Sequence, residues 1–538
     1  VYEKAIELNP QYYEAYNNLG AALGKNEQYD EAIEAYNKTI SLKPDFAEAY
    51  NNMGIVLKYQ GKLEEAIESF NKALSIKPDF YEAYNNMGII LKYQGKLEEA
   101  IEAYNKTILL KPDFAEAYNN MGIALKKQGK LEEAIEKYKK ALSLKPDHAE
   151  SYINIGVVLQ GQGKLEEAIE AYNNALSINP NDAEVYNNMG LAFKEQGKLE
   201  EAIEAFNKAL LVKPDFYEAY NNMGIVLKYQ GKLEEAIEAF NKALLVKPDF
   251  YKAYNNMGIV LKYQGKLDEA IKIYNKTLSL KPDFYEAYNN MGIALKDQGK
   301  ITEAIEAYNK ALSIKPNCGT AKHMISALSG NTNKTAPREF VEKLFDGYSH
   351  TFEASLVDKL EYKIPKLIKD ILIQPTNKEK LGSVLDLGCG TGLFGTEVKN
   401  YCSKLEGIDL SKKMLAIANQ KNVYDKLSQF DIVEYLSSMP LNFDYYIALD
   451  VFIYVGELTE IFRLIKSRNK KSGHLVFSTE HTENDGYHIR RTARYSHSKN
   501  YIKNLCNKFD YTISHFSTNH LRKEKSAFLT GGIYVLSF

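Results

Sequence analysis

The chain has 538 residues, too many for a single hydrophobic core, so two or more domains are expected. Its 68 Lys and Arg nearly balance 70 Asp and Glu, a formal charge of −2 that gives no global pull toward nucleic acid or an anionic membrane. No stretch approaches the roughly 18 apolar residues of a membrane-crossing helix, and Cys318, Cys389, Cys402 and Cys506 form no C-x-x-C pair, so no disulfide framework or structural zinc is expected and a reducing cytoplasm fits. The opening VYEKAIELNP lacks Met and begins inside a repeat, as a fragment of a longer protein would. From Pro10 to Pro316 a proline recurs every 34 residues, so half a repeat and nine full ones fill residues 1–316. Apolar residues at three- and four-residue spacing predict two amphipathic helices per repeat, separated at glycines such as Gly61.

Two helices in 34 residues resemble the tetratricopeptide repeat. In the second repeat Tyr50, Met53, Gly54 and Leu57 take the first-helix signature positions, and Ala66, Phe70, Ala73 and Pro78 the second. Tyr stands where that family usually has Trp. Gly54 and Ala66 are expected to be small because the helices cross closely there. The resemblance implies an all-α solenoid, a right-handed superhelix whose stacked neighbours share one core. It also implies a groove lined by first helices, suited to a protein or peptide partner. Asn recurs two residues before the first-helix glycine, at Asn18, Asn52, Asn86, Asn120, Asn154, Asn188, Asn222, Asn256 and Asn290. The family places this position in the groove, where Asn can pair with the amides of an extended peptide. The same Asn is also the family consensus, so a scaffolding reading stands beside the binding one. The Glu- and Lys-rich segments read as a solvated outer face.

Residues 317–337 predict a capping helix (TAKHMISAL) and a linker (SGNTNKTAP), and a second domain occupies residues 338–538. Two helices open that domain, the first with a break near Gly347. Strands at 383–387, 404–410, 427–432, 443–450 and 474–480 then alternate with helices, which predicts a doubly wound α/β sheet. Two last strands, 510–516 and 531–538, have no helix between them and predict an antiparallel hairpin.

Asp386-Leu387-Gly388-Cys389-Gly390-Thr391-Gly392 follows the first predicted strand and opens a helix. Such glycines let backbone approach a ligand that faces the helix N-terminus. Gly390, Gly392 and Gly395 also spell a dinucleotide G-x-G-x-x-G. However, Asp386 would repel a pyrophosphate and suits an ammonium group. The motif and the antiparallel ending resemble the Rossmann-like class I S-adenosylmethionine-dependent methyltransferases. That resemblance implies S-adenosylmethionine as cofactor, held by Asp386, Gly388, Gly390 and Gly392. Asp409 would accept from both ribose hydroxyls. Asp431 would either meet the adenine amino group or cap a helix. Tyr348 and Phe352 would either close over the sulfonium, since aromatic faces favour a cation, or serve ordinary helix packing. Asp450 ends the fourth strand at the crevice where methyl group and acceptor meet, and His481 and His488 follow the fifth strand as candidate general bases. These three form the expected catalytic set, with Glu480 and His497 as alternative bases. Arg490, Arg491 and Arg494 either grip an anionic acceptor or sit in a solvated loop. No N-P-P-Y follows the fourth strand, so adenine-type methylation of nucleic acid is not expected.

The segments EFVEKLFDGYSHTFEASLVDKLEY, DVFIYVGEL and ARYSHSKNYI resemble a bacterial group of predicted methyltransferases that also carry tetratricopeptide repeats. The expected function is a methyltransferase whose solenoid recruits a protein or peptide. The alternatives are an interaction scaffold with a vestigial enzyme domain and a small-molecule methyltransferase that uses the solenoid for assembly.

Overall fold

The computed structural model describes residues 1–348, 352–353, 356–357, 360–373, 380–524 and 527–538. The chain divides into two compact units, Val1–Asn222 and Met223–Phe538. Among the described residues no helix is long and apolar enough to cross a membrane.

Each repeat in the first unit is a pair of packed helices, such as Ala47–Tyr59 and Leu63–Ile76. The turn between them runs through Gly61 at φ +77°, where an added Cβ would meet nothing within 4 Å. The left-handed backbone alone therefore selects glycine there. Gly54 is chosen for a different reason: its Cβ would stand 2.7 Å from Cε1 of Phe70. Phe70, Ala66 and Ala73 are fully buried, so the ring fills space that only a bare backbone leaves open. Gly122 meets Tyr138 in the same way, at 2.5 Å. Gly122→Ala should therefore destabilise the repeats by about 1–3 kcal/mol through overpacking, read as a lower denaturant midpoint. An unchanged midpoint would show that the helices can part freely.

The second unit begins with the last repeats, including helices Tyr251–Tyr263 and Tyr285–Asp297. The helix Gly319–Ser329 follows at the expected place, but it carries no polar outer cover. Met324 and Leu328 share a core with Ile489, Ala493 and Tyr495, and the fully buried His323 pairs Nε2 with the Ala493 carbonyl at 2.9 Å. The following segment is laid along the same surface, with Ala336 N donating to Tyr454 O at 2.9 Å and Glu457 N to Lys334 O at 2.7 Å. A surface that is buried needs no polar cap.

Among the described residues nine strands form one sheet: β1 Gly382–Leu387, β2 Cys402–Asp409, β3 Lys426–Gln429, β4 Tyr445–Ala448, β5 His474–His481, β6 Tyr487–Ile489, β7 Tyr495–His497, β8 Thr512–Glu524 and β9 Ala527–Ser537. β3-β2-β1-β4-β5 are parallel in that order, and β9 pairs antiparallel with both β5 and β8. Along the central strands, side chains alternate between two cores. Leu385, Leu387, Tyr446, Leu475 and Phe477 enter one, and Val384, Tyr445, Ile447 and Val476 the other. Both faces are covered, which is why these strands read as unbroken apolar runs. The third strand stops at Gln429, short of the expected 432, because Asp431 leaves the sheet to cap the helix Ile432–Ser438. The hairpin β6–β7 was not legible as strand: its strands have three residues each, too few to show a period.

Candidate functional site

The glycine loop after β1 has Gly388, Gly390 and Gly392 at φ +79°, +54° and +86°. They do different work. A Cβ on Gly388 would lie 2.5 Å from Cγ2 of Val451. On Gly392 and Gly395 it would meet the ring of Tyr424, at 3.1 and 2.6 Å. Only Gly390 faces open space, with the Phe352 ring 4.0 Å away. Tyr424 is thus the partner of two of the glycines, and its hydroxyl donates to Asp386 Oδ2 at 2.7 Å. No sequence motif marked it. Cys389 is buried, and burial holds its thiol well above the ordinary range, so it is no nucleophile.

Two carboxylates flank the loop. Burial pushes Asp386 up to about 7, opposed by the Tyr424 hydrogen bond and reinforced by the charge of Asp409. Burial also pushes Asp409 up to about 6, against the amides of Ser411 and Gly390, which donate to its two oxygens at 2.8 and 2.9 Å. The hydroxyl of Thr391, 1% exposed, has no partner among the described residues. Buried acids short of a cation, an orphan hydroxyl and an open glycine backbone fit a ligand with an ammonium group, a carboxylate and hydroxyl donors. Asp431 Oδ1 accepts from Val433 N and Glu434 N at 2.8 and 3.2 Å, so the helix-cap reading holds while the residue also lines the cavity. The Tyr348 side chain lies outside the described residues. Its companion Phe352 does sit over Gly390, beside Phe345 at a centroid distance of 6.0 Å.

Past β4, Asp450 adopts φ +57°, and its amide donates to Ser478 Oγ at 2.9 Å. Its carboxylate pairs with Arg522, whose Nη2 reaches Glu480 Oε1 at 2.7 Å. Glu480 is completely buried and is also held by Arg490 at 2.8 Å and Arg494 at 3.0 Å. Three guanidinium groups against two carboxylates leave one positive charge at this wall. Arg490 and Arg494 are therefore structural partners rather than parts of a solvated loop. Tyr362 and Tyr454 stand beside the cluster, and burial pushes the Tyr454 hydroxyl up to about 12. Sequence reasoning missed Arg522 and Tyr362, because distant segments deliver them singly.

The expected catalytic set is not brought together. Asp450 lines the main cavity; His481 and His488 are absent from its walls. His481 Nε2 pairs with Glu483 Oε1 at 3.1 Å, and His488 Nε2 with the Asp485 carbonyl at 2.7 Å. The cause is local: β5 continues through His481 and the chain then folds back into β6–β7. His497 is fully buried against the Gly456 carbonyl, and burial lowers it to about 4.

The cavity measures about 1900 Å³. It runs from the glycine loop to the first helices of the last repeats, where Asn255, Ile259, Asn289, Asn290 and Ile293 face it. The asparagine ladder is partly self-satisfied. Nδ2 of Asn52, Asn86, Asn120, Asn154 and Asn222 donates to Oδ1 of Asn17, Asn51, Asn85, Asn119 and Asn187 in the preceding repeat, at 2.9–3.3 Å. Asn290 does the same to Asn255 at 3.0 Å. Ile153 stands at the position where Asn188 would find such a partner, and Asn18 is exposed on the first full repeat. In these six repeats one amide hydrogen is thus spent between neighbours, leaving the rest of each amide for the groove.

A methyltransferase-domain model matches residues 378–528. Tetratricopeptide-repeat models match residues 11–79, 260–299 and 285–318, and the model for the C-terminal domain of cilia and flagella-associated protein 70 matches residues 46–250. An uncharacterized methyltransferase of Schizosaccharomyces pombe is 30% identical over 91 residues, 15% of this chain and 32% of that protein. A ubiquinone biosynthesis O-methyltransferase of Ralstonia nicotianae is 27% identical over 112 residues, 19% of this chain and 45% of that protein. The matches thus span less than half of these relatives' own lengths. Among solved structures, YrrB, a repeat protein described as having an unusual peptide-binding site, is 27% identical with a TM-score of 0.30, covering 35% of this chain and 96% of that one.

Proposed function

We propose that this chain, which carries tetratricopeptide repeats and a methyltransferase domain, is an S-adenosylmethionine-dependent methyltransferase of class I whose repeats bring a protein or peptide acceptor to the reacting site. The observation that carries this reading is the single cavity joining the glycine loop to the repeat helices. An acceptor lying against Asn289 and Asn290 is in the same cavity as Asp450.

When bound, S-adenosylmethionine supplies a methyl group already activated on a sulfonium. Asp409 would hold the ribose hydroxyls, Asp386 and Thr391 the amino acid end, and Gly390 the close backbone approach. Phe352 offers an aromatic face to a cation. The protein's main task is alignment, which can contribute about 7–11 kcal/mol. Asp450, fixed by Arg522 and Ser478, faces the acceptor and is the best-placed group to receive a proton from it.

Calorimetry with S-adenosylhomocysteine tests the donor site. Asp409→Ala should cost about 1.5–3 kcal/mol of binding, the worth of hydrogen bonds to a charged acceptor. Wild-type affinity should rise from pH 5 to pH 8 and then level, because both acids must ionise to meet the ligand and burial holds them near 7 and 6. In the ligand-free unit these two acids should act with the opposite sign. At Asp386 and Asp409 the native state binds more protons than the unfolded chain between about pH 4 and 7, so the stability they contribute falls as pH rises through that window, while the lowered His323 and His497 act the other way. Tight nicotinamide dinucleotide binding with none for S-adenosylhomocysteine would sink the assignment. Labelled-cofactor assay of proteins retained by the repeats tests the acceptor.

A further inference from the structure

Asp409 is braced from behind. The helix Arg338–Tyr348 touches both the repeats and the segment that follows β2. On the repeat side Glu339 pairs with Lys315 at 3.3 Å, and the Phe340 ring stands 4.7 Å from that of His323. On the other side Glu342 and Asp346, about one helical turn apart, reach the residues directly after Asp409. Gln429 Nε2 donates to Glu342 Oε1 at 3.2 Å and to the Leu410 carbonyl at 2.9 Å. Ser411 Oγ donates to Asp346 Oδ1 at 2.6 Å. Ser411 is fully buried and has two further bonds. Its amide donates to Asp409 Oδ1 at 2.8 Å, and its Oγ accepts from Met414 N at 3.1 Å, capping the helix Lys412–Gln420. One serine thus ties Asp409 to Asp346.

The repeats reach the same place through Tyr229. Tyr59, Tyr93 and Tyr263 hold the equivalent position in other repeats and are 62%, 68% and 46% exposed. Tyr229 is half-buried instead. Lys413 Nζ stands 5.9 Å from the centre of its ring. Burial, reinforced by the charge of Asp346, pushes its hydroxyl above the ordinary range. Asp346 therefore lies between a repeat tyrosine and the serine that orients Asp409. It also adds a like charge. Asp386 from β1, the Cys389 thiol of the loop and Asp346 all act on Asp409 or are acted on by it, and the amides of Ser411, Gly390 and Leu410 oppose the upward push that burial and Asp346 give it. None of Tyr229, Asp346 and Ser411 lines the cavity.

We propose that the repeats complete the methyl-donor site: Tyr229 and the helix Arg338–Tyr348 hold Ser411 behind Asp409, and Asp346 is a positioning residue for that carboxylate. This rests on the preceding reading of Asp409 as the partner of the donor's ribose. It adds that donor affinity depends on groups outside the cavity wall, one of them in a repeat. The physical reason is orientation. A carboxylate that must meet two hydroxyls needs its plane fixed, and the amide that fixes it stays in place only while its own side chain is held.

The test is calorimetry of S-adenosylhomocysteine binding to the full chain, with the melting transition as a check on folding. Asp346→Ala removes the partner of Ser411 Oγ and should weaken binding about tenfold, the usual size of loss when an orienting partner is deleted. Tyr229→Ala should weaken it about threefold or more, while Tyr93→Ala, the exposed equivalent, should change nothing. Asp346→Asn keeps an acceptor for Ser411 and removes only the charge. Without that like charge Asp409 ionises at lower pH, so this variant should match the wild type at about pH 8 and bind about twofold more tightly than it at about pH 5.5. A purely structural role would give a ratio that does not move with pH, and the isosteric Asn keeps the test decisive if the other variants misfold. The proposal is overturned if the folded Asp346→Ala binds like the wild type, if Tyr229→Ala is no weaker than Tyr93→Ala, or if the Asp346→Asn ratio is the same at both pH values. Each of those results, with wild-type binding intact, leaves the preceding reading standing. A wild type that does not bind S-adenosylhomocysteine overturns both.

Discussion

Gly388→Ala is expected to lower affinity for S-adenosylhomocysteine by about 30-fold to several thousand-fold, the effect of some 2–5 kcal/mol. Two costs combine. The backbone sits at φ +79°, a left-handed conformation that costs an L residue about 1–2 kcal/mol. The new Cβ would also lie 2.5 Å from Cγ2 and 3.2 Å from Cγ1 of Val451, so a branched side chain must move. Val451 follows Asp450, whose amide and carboxylate are both anchored, so its freedom to retreat is small. The loop therefore shifts, taking the Gly390 amide away from Asp409. Gly390→Ala is the informative contrast, since its Cβ would meet only Phe352 at 4.0 Å. It should strain the backbone without a collision, and any larger loss there would report direct contact with the ligand. Calorimetry reads both, with the melting transition as a check on folding. Wild-type affinity in Gly388→Ala would mean that this loop does not form the donor site.

Glu480→Ala should destabilise the second unit by about 3–5 kcal/mol, the cost of breaking a buried ion cluster from one side. Glu480 is 0% exposed and is the only acid of the cluster shared by three arginines. Without it Arg522, 3% exposed, keeps Asp450 alone, and Arg490 and Arg494 both lose the carboxylate they share. Hydrogen exchange at β5 and β9 amides reads the opening free energy of the sheet apart from the repeats that share this unit. Glu480→Gln should fall between, since it keeps the shape and one acceptor but not the charge. If Glu480→Ala exchanges like the wild type, the cluster contributes nothing net. In that case Asp450 is held by Ser478 and the backbone.

The repeats were legible residue by residue, because each signature answers to a local cause. A turn at φ +77° selects Gly61, and a neighbouring ring selects Gly54. The same holds for the glycine loop, where Asp386 and the left-handed glycines are set by a tight turn after a buried strand. The central strands announced themselves as apolar runs because helices cover both faces of the sheet. Where the reasoning depended on a side chain's destination, it was less secure. His481 and His488 lie next to a predicted strand end, yet β5 runs on through His481 and the short hairpin β6–β7 carries His488, and neither lines the cavity that holds Asp450. The asparagine at each groove position could be assigned a donor and an acceptor, but not the neighbour that takes one of its hydrogens.

The sequence by itself determined what short-range physics determines: helix pairs, strand order of appearance, the ligand-binding turn and the acids at the end of β2 and just past β4. The tertiary structure alone decided which groups meet. Tyr424 reaches Asp386 across 38 residues, Arg522 joins Asp450 across 72, and Glu480 gathers arginines from β8 and from the β6–β7 loop. It also decided that lysines of three repeats face the same cavity as the glycine loop. Those meetings depend on packing two cores and a repeat stack against one another. No local period records them, because the energy that fixes them is spread over contacts between residues far apart in the chain.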